Sequence, residues 1–315
     1  MRVIVCGASG FIGTAVVREL AGRGHEVTGV TRDNASASLL EAAGGKVVVS
    51  DLMTEGPWVD AVRSSDVVLS LVSSLSFGEK VAVNEAHRRS YQQGKMVGNL
   101  FMAAQGSKAK GVILSYGALG YGDRGDQWVT EYTDLNPTGF ERAITGAYWH
   151  IEKTSRKARL PLLNLFTGWT YGPGGWFDAM VRGLRNGSWR VVGDGDNYMS
   201  LIHVDDLATA YANIVEKAPF GQRYCLVDGH PVTQRELTGF VAERLGCRPP
   251  ASIDPANYAR TAGELAAESF TASVKVSYER MKASVLPELK FPSYREGVPQ
   301  ALEAMGVTQD IERAA

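Results

Sequence analysis

Short apolar runs and helix-spaced segments alternate along the first half of the chain. Val3-Ile4-Val5-Cys6 is one such run and reads as a buried strand. A glycine-containing turn, Gly7 to Gly13, follows at once, and apolar residues then recur at 12, 16, 17 and 20, the spacing of one helix face. The alternation continues to about residue 168, as it does in βαβ units that build a parallel sheet. After Tyr171 it breaks. Gly174-Gly175-Trp176-Phe177 opens a helix that should end near Gly187, residues 191–228 return to the sheet, and residues 229–315 read as mostly helical. The expected fold class is therefore α/β, a doubly wound parallel sheet with a smaller, mostly helical C-terminal lobe. The expected division is 1–168 with 191–228 for the sheet domain, and 169–190 with 229–315 for the lobe.

The first turn carries the first chemistry. A strand, a glycine turn and a helix in immediate succession let a backbone approach a pyrophosphate closely, and the helix start offers unpaired N–H groups and a positive dipole end. Gly7, Ser9, Gly10, Phe11, Ile12 and Gly13 are the residues expected at that contact. The second strand ends Thr31-Arg32-Asp33, where an acid would bind a ribose hydroxyl and an arginine would accept a 2′-phosphate. Arg32 favours NADP over NAD on this reading, through its planar fork of donors. Asp33 can serve as a cap.

Glycines spaced every third residue resemble the short-chain dehydrogenase/reductase superfamily, in its extended or atypical, NAD-dependent epimerase/dehydratase-like branch. Later segments are similar in order: Val47-Val48-Val49-Ser50-Asp51-Leu52, Asp66 to Ser73, Gly111 to Ser115, Tyr171-Gly172-Pro173-Gly174, Gly193-Asp194-Gly195 and Ile202-His203-Val204-Asp205-Asp206. The resemblance implies a Rossmann fold. It places Asp51 and Leu52 beside adenine, Leu71, Val72 and Ser73 along the cofactor, and Thr167 at the end of the sixth strand.

It also exposes a gap. The family's Tyr-x-x-x-Lys pair sits on the helix after the fifth strand, where four-residue spacing puts both groups on one face. With Glu152 nine residues before Pro161, the Tyr position is Ile144 and the Lys position is Tyr148. The usual Ser falls on Gly117, and the usual Asn on Gln93. Tyr148, Ser115 and Tyr116 are the expected catalytic set, with Tyr121, His150 and Lys153 behind them. Three outcomes stay open. One is an atypical NADP-dependent oxidoreductase of a small organic carbonyl or enone, with a non-standard proton donor. The others are a non-redox epimerase, isomerase or lyase, and a cofactor-binding regulatory scaffold.

Composition narrows the partners. At 315 residues with 44% hydrophobic and 21% charged content, the chain is an ordinary globular protein. A net charge of -1 with scattered basic residues gives no footprint for nucleic acid. No apolar run approaches the roughly 20 residues that span a bilayer, and the N-terminus runs straight into a strand, so no membrane association and a cytoplasmic location are expected. Three cysteines and five histidines show no ligand spacing, so no metal site is expected. Trp176, Phe177, Met180 and Tyr198 are candidates for an apolar substrate pocket, and Arg182, Arg185 and Arg190 for substrate phosphates. A small-molecule substrate and, by family analogy, a homodimer complete the expectation.

Overall fold

The computed structural model describes residues 1–32, 34–75, 78–217 and 219–307. Seven strands form one all-parallel sheet: β1 (Arg2–Cys6), β2 (Glu26–Thr31), β3 (Lys46–Val49), β4 (Val67–Ser70), β5 (Val112–Gly117), β6 (Leu162–Thr167) and β7 (Arg223–Leu226). Their order across the sheet is 3-2-1-4-5-6-7. The chain winds one way from β1 to β3 and the other way from β4 onward. The crevice at that reversal, beyond the carboxyl ends of β1 and β4, is where doubly wound sheets bind ligands. Every residue of β4 and β6 is buried. Helices cover both faces of a parallel sheet, so its central strands read as unbroken apolar runs.

The helices are α1 (Phe11–Gly22), α2 (Ala37–Ala42), α3 (Trp58–Ser64), α4 (Val83–Ala104), α5 (Glu141–Ile144), α6 (Tyr148–Ala158), α7 (Gly175–Arg185), α8 (Val204–Lys217), α9 (Gln234–Arg244), α10 (Pro255–Ala262), α11 (Glu264–Thr271), α12 (Glu279–Ser284) and α13 (Tyr294–Ala304). On one face of the sheet, α1 and α8 bury Val16, Val17, Leu20, Leu207 and Tyr211. On the other, α3, α4 and α6 bury Trp58, Leu100, Phe101 and Ile151. A third core joins α7, α9 and α13 through Phe177, Met180, Leu237, Val241 and Val298.

Three of the C-terminal helices are started by side chains that satisfy first-turn N–H groups. Thr233 caps α9, Asp254 caps α10 and Ser293 forms a capping box with Glu296 on α13. Asp206 at the start of α8 ties this region to the sheet: its two carboxyl oxygens accept from the Lys290 and Phe291 N–H groups at 2.7 and 2.9 Å. Met281, Val285 and Leu286 pack into the α8 side of the sheet core. A short parallel pair, Trp169–Tyr171 with Leu201–His203, carries the chain from β6 to α7 beside the crevice.

Candidate functional site

Two adjoining cavities, of about 610 and 520 Å³, run along the carboxyl ends of the strands. Gly7, Gly10, Leu71, Val72 and Ser73 line both, so the glycine turn and the end of β4 lie where they meet.

The turn leaves no room for side chains at two of its glycines. Gly7 has φ +79°, and a Cβ there would sit 2.8 Å from the Leu71 carbonyl oxygen. A Cβ on Gly13 would lie 2.3 Å from the Gly7 carbonyl oxygen. Gly10 differs, because its added Cβ would meet only that same oxygen, at an ordinary 3.5 Å. Gly10 is also the N-cap of α1 and supplies no side-chain cap. The N–H groups of Phe11, Ile12 and Gly13 therefore start the helix without intrahelical acceptors. All three residues line the larger cavity. Phe11 is roofed by a second glycine turn: Cβ atoms on Gly174 and Gly175 would come within 2.8 and 3.0 Å of its ring. A bare helix N-terminus under a glycine cradle suits an anionic phosphate.

The smaller cavity lies toward β2 and β3. Ser9, Arg32, Asp51 and Leu52 line it. The Thr31 hydroxyl donates to Ser9 Oγ at 3.1 Å, and Asn99 Nδ2 donates to the Leu52 carbonyl at 2.7 Å, which fixes both edges. Asp33 lies outside the described residues. Arg32 is exposed and holds no ion pair among the described residues. Arg89, the other arginine of this cavity, is occupied by Glu79, Glu85 and the Ser74 carbonyl.

At the other end, Ser115, Tyr116, Gly117, Ile144 and Thr167 line the larger cavity. Ser115 Oγ accepts from the Tyr211 hydroxyl. The Thr167 hydroxyl donates to the Tyr116 carbonyl at 3.2 Å. The Tyr116 hydroxyl is buried without a partner, and burial foremost raises its pKa well above the ordinary phenol value. Gln93, at the family's Asn position, donates to the Val72 carbonyl at 2.6 Å and so holds the end of β4.

Tyr148 is not brought to this cavity, which corrects the expectation that it would act there. Its hydroxyl donates to Glu152 Oε1 at 2.5 Å and accepts from Asn164 Nδ2 at 3.3 Å, and the Arg223 guanidinium lies over its ring. The reason is local. A 3₁₀ turn, Thr145–Ala147, interrupts the helix between α5 and α6. That turn winds three residues per turn rather than 3.6, so Ile144 and Tyr148 no longer share a face. Of the weaker candidates, Tyr121 is buried with its hydroxyl 3.3 Å from Cys225 Sγ, and His150 and Lys153 are exposed.

One residue that the sequence did not single out lies in the same cavity. Glu141, the first residue of α5, is buried and lines the larger cavity. Its Oε2 accepts from the Thr145 hydroxyl at 2.6 Å, and the Gly117 N–H also donates to its carboxyl. Burial pushes the carboxyl's pKa up, against the pull of those two bonds. Nothing in the local sequence marks it, since an acid at a helix start normally faces solvent.

The remaining wall is mostly apolar, with Leu75, Leu119, Phe140, Trp169 and Trp176. Tyr198 joins them, whereas Phe177 and Met180 are packed into the third core instead. Among the described residues the lining of this cavity includes no Lys, Arg or His. Arg182 pairs with Asp178 and Arg190 bonds to backbone carbonyls, so neither reaches it. Cys6 and Cys225 are buried in strands, and burial raises the Cys6 thiol to about 12. No helix of the described residues is long and apolar enough to cross a membrane.

The model of the NAD dependent epimerase/dehydratase family matches residues 3–225. A similar curated protein is a 3-diazoavenalumate denitrifying reductase from a Streptomyces species, 26% identical over 309 residues that cover 95% of this chain and 99% of that protein. The fold is shared with the human epimerase family protein SDR39U1, solved with NADPH, at a TM-score of 0.77 and 21% identity over 96% of this chain and 99% of that one. It is shared too with the dTDP-glucose 4,6-dehydratase DesIV of Streptomyces venezuelae, solved with NAD, at a TM-score of 0.78 and 19% identity over 96% of each chain. Three solved structures that share the fold, two of DesIV and one of a UDP-glucuronic acid 4-epimerase from Bacillus cereus, carry NAD against one with NADPH, which overturns the expected NADP preference. Arg32 lines its cavity together with Asp51.

Proposed function

Because this chain belongs to the NAD dependent epimerase/dehydratase family, we propose that it holds a nicotinamide dinucleotide along the crevice and uses it on a small, uncharged organic substrate. The observation that carries this reading is the continuity of the two cavities across the glycine turn. One accommodates an adenosine end between Ser9, Asp51 and Leu52. The other accommodates a nicotinamide end and a substrate. The backbone of Phe11, Ile12 and Gly13 holds the pyrophosphate, and Leu71, Val72, Ser73 and Thr167 flank the chain of the cofactor as it passes. When bound, the dinucleotide supplies or accepts a hydride.

The substrate class follows from the wall. A nucleotide sugar needs cations for its phosphates, and the larger cavity's described lining has none. Aromatic and aliphatic side chains instead favour an apolar carbonyl or enone compound. Ser115 has its acceptor place filled by Tyr211 and keeps its own O–H to orient a substrate oxygen. The reductase activity in the name of the Streptomyces relative supports hydride transfer over a non-redox role. The substrate lobe of residues 169–190 and 229–315 is part of the proposal, since Trp169 and Trp176 close the cavity that β5 and β6 open.

Titration with NAD+ and NADH, and with their 2′-phosphorylated forms, tests the binding claim through tryptophan fluorescence, to which Trp169 and Trp176 in the cavity wall contribute. Saturable quenching by the NAD pair is expected, and no response to any form would overturn the reading. Consumption of NADH is then followed with apolar ketones, aldehydes and enones, and with UDP-glucose. Turnover confined to the apolar compounds is expected; turnover of UDP-glucose would overturn the substrate class.

A further inference from the structure

We propose that Glu141 is the group that gives and takes the substrate proton in this site, and that glycine at 117 is what admits its carboxyl. The inference rests on the dinucleotide reading above and deepens it.

The geometry comes first. A Cβ built on Gly117 would lie 2.5 Å from Glu141 Oε1 and 3.0 Å from Cδ. Any side chain at 117 would therefore push the carboxyl out of its seat. Position 117 is where the family's hydroxyl residue belongs, and its absence reads as a loss in the sequence. In three dimensions it is a clearance. The carboxyl enters from the first turn of α5, three residues before Ile144, so it reaches the cavity from the same helical face as the missing tyrosine.

Three of the cavity's hydroxyls are already engaged. The hydroxyls of Thr167, Thr170 and Ser200 donate to the carbonyls of Tyr116, Gly168 and Val274. The Tyr116 hydroxyl is enclosed within the wall. Among the described residues Glu141 has no cation paired with it. Arg142, next in the chain, pairs with Glu268 of α11, and Arg89 of α4 pairs with Glu79 and Glu85. Tyr116 of β5 is the titratable neighbour that feels its charge. A buried carboxyl without a cation holds its proton to higher pH than an exposed one, as a general acid near neutrality must.

The step balances in both directions. In reduction the substrate carbon gains the hydride and its oxygen gains a proton as the Glu141 O–H bond breaks. The carboxylate then recovers a proton from water, and the dinucleotide is left oxidised. Oxidation runs the same transfers backward, with Glu141 taking the hydroxyl proton.

The probe is the dinucleotide itself, which avoids dependence on an unidentified substrate. A positively charged oxidised ring beside Glu141 should favour its carboxylate, and the neutral reduced ring should not. Calorimetric titration with NAD+ and NADH, in buffers of different ionisation enthalpy between about pH 5 and 8, counts protons exchanged. NAD+ should release a fraction of a proton that NADH does not. Glu141→Gln keeps the shape and should erase that difference while still binding NAD+. Gly117→Ala should also diminish it, by displacing the carboxyl. Once a substrate is found, Glu141→Gln should lower turnover by roughly 10²- to 10⁴-fold. Absence of NAD+ binding removes the dinucleotide reading and this inference with it. Binding with the same proton exchange for NAD+ and NADH in the unaltered protein, or the same exchange in Glu141→Gln, removes the inference alone.

Discussion

Substituting Gly10 by alanine separates the ligand's need for glycine from the fold's need. Gly10 has φ -72° and ψ 167°, which any residue adopts. Its added Cβ meets only the Gly7 carbonyl oxygen at 3.5 Å, and the residue lines both cavities, so the methyl has only the crevice to occupy. Alanine is a poorer N-cap than glycine but has less freedom to lose on folding, and the two effects leave stability within about 1 kcal/mol. A pyrophosphate held off by that methyl forfeits at least one charge-assisted bond to the backbone, worth about 1.5 to 3 kcal/mol. The dissociation constant for NAD+ should therefore rise about 10- to 100-fold. Gly13→Ala is the control. Its Cβ would sit 2.3 Å from the Gly7 carbonyl oxygen, 0.7 Å inside the 3.0 Å that real contacts keep, so the turn itself must move. That variant should lose about 1 to 3 kcal/mol of stability as well as affinity. Urea denaturation and NAD+ titration read both quantities. If Gly10→Ala binds NAD+ as tightly as the parent with unchanged stability, the pyrophosphate does not lie over this turn.

Tyr148→Phe removes hydrogen bonds to Glu152 and Asn164 outside the cavity, so it should cost about 1 to 2 kcal/mol in urea denaturation and leave NAD+ affinity unchanged; a loss of affinity would return Tyr148 to the site. His203 is buried, its Nδ1 accepts from the Asp205 N–H at 3.2 Å, and burial holds its pKa down to about 4 from 6.5. The unfolded chain then takes the proton first as pH falls, so stability should drop by about 3 kcal/mol between about pH 6.5 and 4; the same acid slope in His203→Gln would contradict this. The Glu141 carboxyl is pushed the other way, upward by burial, so its contribution is intact below the ordinary carboxyl range and lost as pH rises through the folded value, each tenfold gain in proton affinity being worth about 1.4 kcal/mol. Glu141→Gln should accordingly gain on the parent as pH rises through that window, and equal stability at every pH would count against a buried carboxyl.

The sheet was legible because its physics is periodic. Val3 to Cys6 and Leu162 to Thr167 are buried on both faces, and a strand covered on both sides must be written as an apolar run. The glycine turn was legible because close backbone packing at Gly7 and Gly13 excludes every other residue. The catalytic end was not. Its departures from the family pattern were visible as Gly117 and Ile144, but a vacancy does not announce what fills it. Glu141 enters from an irregular segment whose path depends on long-range bonds, such as Gly139 and Phe140 N–H to Glu268 and Ser269. The 3₁₀ turn at Thr145–Ala147 also defeats a register counted on α-helical spacing, and that register alone points Tyr148 to the cavity. Arg32 was read without its surroundings, and only the fold shows Asp51 in the same cavity and Arg89 already paired.

The central claim is that one dinucleotide spans both cavities with its reactive end beside Glu141. A crystal structure of the chain with NAD+ tests it most directly. The pyrophosphate should lie on the N–H groups of Phe11, Ile12 and Gly13, and the nicotinamide ring in the larger cavity next to the Glu141 carboxyl seated on Gly117. A nicotinamide ring outside that cavity, or separated from Glu141 by its apolar wall, would contradict the claim.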